Sequence, residues 1–167
     1  MEHYTELVNQ AKQGDVQAFS RLYESCYKDM YRFALYNLGH EEDAKDAVSD
    51  TVLAAFENIG KLRDADAFKA WIFRILYNQC VKRRRQYTMK TEELPESMPA
   101  AQQDTAQALD VRRAFESLPP EDQMIVSMSV FAGYNSSEIG WIMKKNANTV
   151  RSRLSRSMGK MQKLLEV

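Results

Sequence analysis

The chain has 167 residues, 44% of them hydrophobic, and 23 cationic side chains balance 23 acidic ones; this suits one domain or two small ones, with no apolar stretch of membrane-spanning length. The start, Met1 to Glu6, has no basic segment followed by an apolar run, so a soluble, intracellular, cytoplasmic protein is expected, without membrane insertion. Cys26 and Cys80 are isolated, with no Cys-x-x-Cys, and His3 and His40 lie near neither, so no metal, cofactor or disulfide framework is expected and buried thiols are the default.

The zero net charge is an average over blocks. Residues 1–60 carry −6, residues 61–90 carry +7, residues 91–122 carry −6 and residues 123–167 carry +5. Two basic blocks alternating with two acidic ones let one molecule meet an anionic polymer twice and a different partner through its acidic surface.

In chain order, Tyr4 to Lys12 predicts a short helix ending near Gly14. From Val16 to Leu38 the residues Phe19, Leu22, Tyr23, Cys26, Tyr27, Met30, Tyr31, Ala34 and Leu38 recur at helical spacing and form a stripe to be buried, with Gly39 as the stop. Glu41, Glu42 and Asp43 open the next helix, where carboxylates favour the positive end of the dipole. Its inward stripe is Ala44, Ala47, Val48, Thr51, Val52, Ala55, Phe56 and Ile59; Glu42, Asp46, Ser49, Asp50 and Leu53 stay outside, either as a solvated face or as a docking surface.

Gly60 to Asp66 is a polar loop, and Ala67 begins a third helix with Phe68, Trp71, Ile72, Ile75, Leu76 and Cys80 inward. Its other side carries Lys69, Arg74, Asn78, Lys82, Arg83, Arg84 and Arg85. With Tyr77 and Tyr87 nearby, these cations suit a phosphate backbone and unpaired, stacked bases. Residues 87–108 lose periodicity and read as a linker, which as a flexible coil of roughly 20 residues spans about 25 Å. Leu109 to Phe115 begins another helix, and Leu118-Pro119-Pro120 forces a turn before Glu121.

Glu121 to Ala132 is apolar-periodic and Gly133-Tyr134 breaks it. Asn135 with Glu138 forms a capping-box variant for a short helix, whose Ile139, Ile142 and Met143 face inward and whose Gly140 sits where a side chain would hinder close helix approach. Lys144-Lys145 leads to Asn146, a cap for the last helix. There Val150, Leu154, Met158, Met161 and Leu165 form the expected core stripe, Asn148, Arg151, Ser152 and Ser155 lie opposite, and Arg153, Arg156, Lys160 and Lys163 run between. A short bracing helix, a tight turn and a helix whose first turns carry Asn, Arg and Ser make a helix-turn-helix pattern for a DNA major groove.

The expected fold is all-α: two small helical domains, residues 1–86 and 109–167, joined by a flexible linker at 87–108. Neither a nucleophile–base pair, a phosphate loop nor metal-spaced carboxylates appear, so an enzyme is not expected. A stand-alone dimeric helix-turn-helix regulator is the competing binding-protein reading, against which the aromatic-basic third helix counts.

These residues together resemble the extracytoplasmic-function class of bacterial sigma factors. The first half is similar to sigma region two in Asp15-x-x-Ala18-Phe19-x-x-Leu22-Tyr23, Leu38-Gly39-x-x-Glu42-Asp43-Ala44-x-Asp46-x-Val48 and Ala67-Phe68-x-Ala70-Trp71-x-x-x-Ile75-x-x-Asn78. The second half is similar to region four in Leu118-Pro119-Pro120, Ser137-Glu138-Ile139 and Thr149-Val150-Arg151-Ser152-Arg153-Leu154-Ser155-Arg156. The resemblance implies a subunit that binds core RNA polymerase, recognises double- and single-stranded promoter DNA, helps open the duplex and is inhibited by an anti-sigma factor. It implies polymerase contacts at Asp46, Val48, Ser49, Asp50 and Leu53. Capture of the downstream (minus ten) element falls to Lys61, Arg63, Asp64, Phe68, Lys69, Arg74, Asn78, Lys82 and Arg83, and reading of the upstream (minus thirty-five) element to Asn148, Thr149, Arg151, Ser152, Ser155 and Arg156. The chain departs from the family at three places. Lys144 replaces a frequent turn glycine, where a left-handed conformation costs on the order of 1 kcal/mol; Gly140 replaces the usual alanine; and Arg63-Asp-Ala-Asp66 lacks the common loop glycine.

Overall fold

The structure is a computed structural model that describes residues 2–89 and 106–166. It forms two compact units, Met1–Leu94 and Pro95–Val167, and every regular element among the described residues is helical. The linker expectation for 87–108 falls mostly outside the described residues; of its edges, 87–89 are helical and 106–108 open the next helix.

The first unit holds α1 (Glu2–Lys12), α2 (Val16–Leu38), α3 (Glu41–Asn58) and α4 (Phe68–Met89), with two short 3₁₀ turns, Ile59–Lys61 and Ala65–Ala67, between α3 and α4. Local chemistry sets the helix ends. The Asp15 carboxylate accepts from the backbone N–H groups of Gln17 and Ala18 at 3.0 and 3.1 Å. Gly39 closes α2 at φ 81°, donating its N–H to the Leu35 carbonyl at 2.9 Å, a conformation open to glycine at no steric cost. α2 packs against α1, α3 and α4 around Leu22, Met30, Phe33, Ala34, Ile72, Phe73 and Leu76. Phe33 and Phe73 meet edge to face at 5.2 Å. The tyrosines of the expected stripe sit at its border instead: Tyr23, Tyr27 and Tyr31 contact one another along the outside of α2, because its three neighbours enclose the Phe33 side.

The second unit holds α5 (Ala106–Glu116), α6 (Pro120–Val130), α7 (Ser136–Met143) and α8 (Ala147–Leu165). α8 is the hub, packed on α5, α6 and α7, and the core gathers Phe115, Leu118, Ile125, Met128, Ile139, Ile142 and Val150. The buried row of α8 is Val150, Ser157 and Met161, with Leu154 half-buried; Met158 and Leu165 of the expected stripe are 43% and 44% exposed. The helices around α8 cover a narrower arc than its apolar sequence could fill.

Candidate nucleic-acid interfaces

The α7–α8 turn is built by caps and one close backbone approach. Asn135 and Glu138 form a reciprocal capping box, at 2.9 and 3.0 Å. Lys144 ends α7 in the left-handed conformation, φ 55° and ψ 48°, and the Lys145 N–H reaches back to the Gly140 carbonyl at 2.8 Å. A Cβ on Gly140 would stand 2.7 Å from the Lys145 carbonyl oxygen, so the absent side chain is what lets the turn close. Asn146 then caps α8 by accepting from the Asn148 N–H at 2.8 Å.

Charge locks the turn to α6. Glu121 accepts from Lys145 and, at 2.5 Å, from Arg153, whose Nε donates to Asp122 at 2.7 Å. Burial works to raise the Glu121 pKa, but the bonds from Lys145 and Arg153 outweigh it and hold the carboxyl below its ordinary value. Arg153 is therefore part of the scaffold, and the cationic row of α8 is reduced to Arg156, Lys160 and Lys163. Asn148, Thr149, Arg151, Ser152, Ser155 and Arg156 are all exposed on the first turns of α8, with Arg151 donating to the Asn148 side chain at 2.6 Å. The helix entrance thus presents donors and acceptors on a braced support, the equipment that base-edge reading needs.

In the first unit, Asp46, Ser49, Asp50 and Leu53 line the outer side of α3, with Leu53 61% exposed. Val48 does not join them: it is 2% exposed, because its position on the helix turns it toward α2 and α4. Phe56, expected inward, is 39% exposed against Phe19 at 5.2 Å and extends the outer row with an aromatic edge. Two members of the acidic helix reach α4: Asp50 accepts from Arg83 at 2.7 Å, and Asp43 accepts from the Tyr87 hydroxyl.

Lys61, Arg63 and Asp64 are exposed on the α3–α4 connection, where the Asp64 carboxylate accepts from the Asp66 N–H at 3.0 Å and shapes the second 3₁₀ turn. Phe68 is fully buried against Tyr4 and Trp71, with centroids at 6.2 and 6.0 Å, so it anchors the connection and offers no face to a base. On α4, Arg74, Asn78 and Lys82 share one stripe at fourfold spacing, and half-exposed Trp71, which the periodicity placed inward, begins it. Lys69 points elsewhere, over the Tyr4 ring at 5.8 Å. The nine residues assigned to this site therefore divide among the connection, the Trp71–Lys82 stripe, the α1 side and the α3 side.

The Sigma-70 region 2 family matches residues 22–88, and the Sigma-70 region 4 family matches residues 108–161. The ECF RNA polymerase sigma factor SigM of Mycobacterium tuberculosis is 32% identical over 91% of this chain and 79% of its own length. The chain belongs to the ECF sigma factors. Among solved structures, the sigma factor RpoE in complex with the anti-sigma factor NepR from Bartonella quintana is 25% identical, with a TM-score of 0.75 over 91% of this chain and 99% of its own. CnrH in complex with the cytosolic domain of CnrY has the same fold, with a TM-score of 0.77 over 98% and 97% of the two chains at 22% identity.

As a sigma factor it acts in transcription initiation by RNA polymerase. The region 2 match begins inside α2 and runs through α4, and the region 4 match spans most of α5 through α8, so α1 lies outside the matched segments. No helix of the described residues is long and apolar enough to cross a membrane.

Proposed function

We propose that this sigma factor binds core RNA polymerase through the outer row of α3, Asp46, Ser49, Asp50 and Leu53, and directs it to promoters with two elements. α8 reads the upstream element as duplex through Asn148, Thr149, Arg151, Ser152, Ser155 and Arg156. The connection carrying Lys61, Arg63 and Asp64, with Lys69 and the Arg74, Asn78 and Lys82 stripe, holds the downstream element as an opened strand. Arg83 contributes at the edge of that surface, in exchange with Asp50. Val48 and Phe68 act from the core, as supports for these surfaces. An anti-sigma partner is part of the proposal, supported by the likeness to the RpoE of Bartonella quintana, solved with NepR.

The observation that carries the reading is the first three turns of α8, where six polar side chains are exposed and the α7–α8 turn before them is held by the Asn135 box, the Asn146 cap and the Glu121 ion pairs. The test is Arg151→Ala. Loss of one base-edge contact costs about 1–3 kcal/mol of discrimination, so promoter-specific transcription in vitro falls while co-purification with core polymerase is unchanged. Equal loss of core association contradicts the assignment.

A further inference from the structure

Neither matched segment includes α1, and none of the surfaces proposed above lies on it. Its inner side has a definite target. Tyr4, Val8 and Ala11 fall on one face at spacings of four and three, and Val8 and Ala11 are buried. α1 packs on α2 and also on both 3₁₀ turns of the α3–α4 connection, Ile59–Lys61 and Ala65–Ala67. The hydrogen bonds that shape this connection close within it. The Leu62 N–H donates to the Ile59 carbonyl at 3.1 Å, the Ala67 N–H to the Asp64 carbonyl at 3.0 Å and the Asp66 N–H to the Asp64 carboxylate at 3.0 Å. Its place against the bundle rests on apolar packing, with Ile59 and Leu62 buried and α1 behind both turns.

Tyr4 secures the end where the connection enters α4. Its ring meets Phe68 edge to face at 6.2 Å between centroids, and the Lys69 ammonium lies over the same ring at 5.8 Å. One ring of α1 thus holds two consecutive side chains, the first by packing and the second by charge. The Tyr4 hydroxyl is buried without a hydrogen-bond partner among the described residues. Burial, with the Cys26 thiol nearby, raises its pKa, so the phenol stays neutral. The ring carries the contact and the hydroxyl adds nothing to it.

We infer that α1 braces the α3–α4 connection from behind, and that Tyr4 is a positioning residue for capture of the opened downstream strand. The bracing stands on the packing alone; its consequence for the strand rests on the proposed function. Lys61, Arg63 and Asp64 are exposed on a segment held by a few local bonds. A connection fixed before the strand arrives loses less conformational freedom on binding it. Tyr4 itself touches no base. Its loss therefore weakens the selective part of strand capture and leaves non-selective binding as it was.

The test uses the full-length chain and three variants. Tyr4→Leu removes the ring and keeps apolar bulk, whereas Tyr4→Phe keeps the ring and removes the hydroxyl. Leu38→Val is the stability control. Leu38 is buried about 28 Å along α2 from Phe19, which meets Phe56 near the end of α3 where the connection begins. Amide hydrogen exchange reads the connection, and fluorescence anisotropy reads two labelled single strands, one with a downstream element selected with the wild type and one scrambled. Tyr4→Leu is expected to speed exchange of the Leu62, Asp66 and Ala67 amides about tenfold or more. Its affinity for the selected strand falls about threefold or more, with the scrambled strand bound as before. Tyr4→Phe matches the wild type in both measurements. Leu38→Val lowers the unfolding temperature and changes neither.

Unchanged exchange of the three amides in Tyr4→Leu, or an acceleration that Leu38→Val reproduces, overturns the bracing. Faster exchange with undiminished affinity for the selected strand, under conditions where Arg63→Ala weakens it, overturns the positioning role. A wild type that binds both strands equally, or an Arg63→Ala variant that binds as tightly as the wild type, refutes the strand-holding reading of the connection, and the exchange result alone then decides whether α1 braces it.

Discussion

The Asp50 carboxylate on α3 accepts a hydrogen bond from the Arg83 guanidinium on α4 at 2.7 Å, with side chains 53% and 17% exposed. One belongs to the proposed polymerase surface and the other to the proposed DNA surface, so in the free chain each occupies the other. An exposed pair of this kind contributes under about 1 kcal/mol, and its consequence lies in competition more than in stability. Asp50→Asn should raise the polymerase-free chain's affinity for a labelled single-stranded oligonucleotide about two- to threefold by fluorescence anisotropy. Asp46→Asn, which removes a charge without releasing Arg83, should raise it less. Equal effects of the two substitutions would show that Arg83 is not being released.

Gly140 and Lys144 exchange the roles their neighbourhood demands. Lys144 adopts φ 55° without being glycine, and Gly140 occupies a helical position where a Cβ would meet the Lys145 carbonyl at 2.7 Å. Lys144→Gly is expected to stabilise the second unit by about 1 kcal/mol. Gly140→Ala gains helix propensity of about 1 kcal/mol, yet overpacking against backbone costs about 1–3 kcal/mol. The net result expected in urea unfolding is a loss, and a gain would mean that the turn can shift.

The Glu121 cluster gives a pH signature with a definite sign. The folded-state value lies below the ordinary 4.5, so the unfolded chain takes up the proton first. The contribution is complete above the ordinary value and disappears as pH falls through the folded one. The stability gap between wild type and Glu121→Gln should therefore be widest near neutrality and close as pH falls below the ordinary carboxylate value and through the lower folded one. A gap independent of pH would remove the ion pairs as its cause.

Both thiols should be chemically silent in the native protein. Burial pushes Cys26 up to about 11 and Cys80 up to about 12, and both side chains are buried in the first unit. Since the thiolate is the reactive form, alkylation at about pH 8 should proceed only after denaturant is added. Rapid labelling of either cysteine in buffer would contradict the packing of α2 and α4.

Those features that a few neighbouring residues decide were legible in sequence: the Asn146 cap, the Gly39 stop, the Asn135–Glu138 box and the left-handed Lys144 all depend on local chemistry. What depended on distant partners was not. For Val48 and Phe68 the helical period pointed inward while the resemblance assigned them to surfaces, and the passage of α1, α2 and α4 decides for burial. Arg153 reads as one of four cations on a helix until Glu121 and Asp122, more than thirty residues away, prove to hold it. Met158 and Leu165 match the apolar period, but no helix of the described residues covers them. The residues named for the upstream element thus share one exposed stretch of α8, whereas those named for the downstream element face different neighbours.

The most direct test of the account is in vitro transcription by core RNA polymerase supplemented with this chain, over a library of randomised promoter sequences, with the transcribed templates sequenced. The account predicts two enriched blocks at one fixed spacing, with Arg151→Ala relaxing the upstream block and Arg74→Ala weakening the downstream one. Transcription that does not depend on the chain, or enrichment of a single palindromic block, would contradict it.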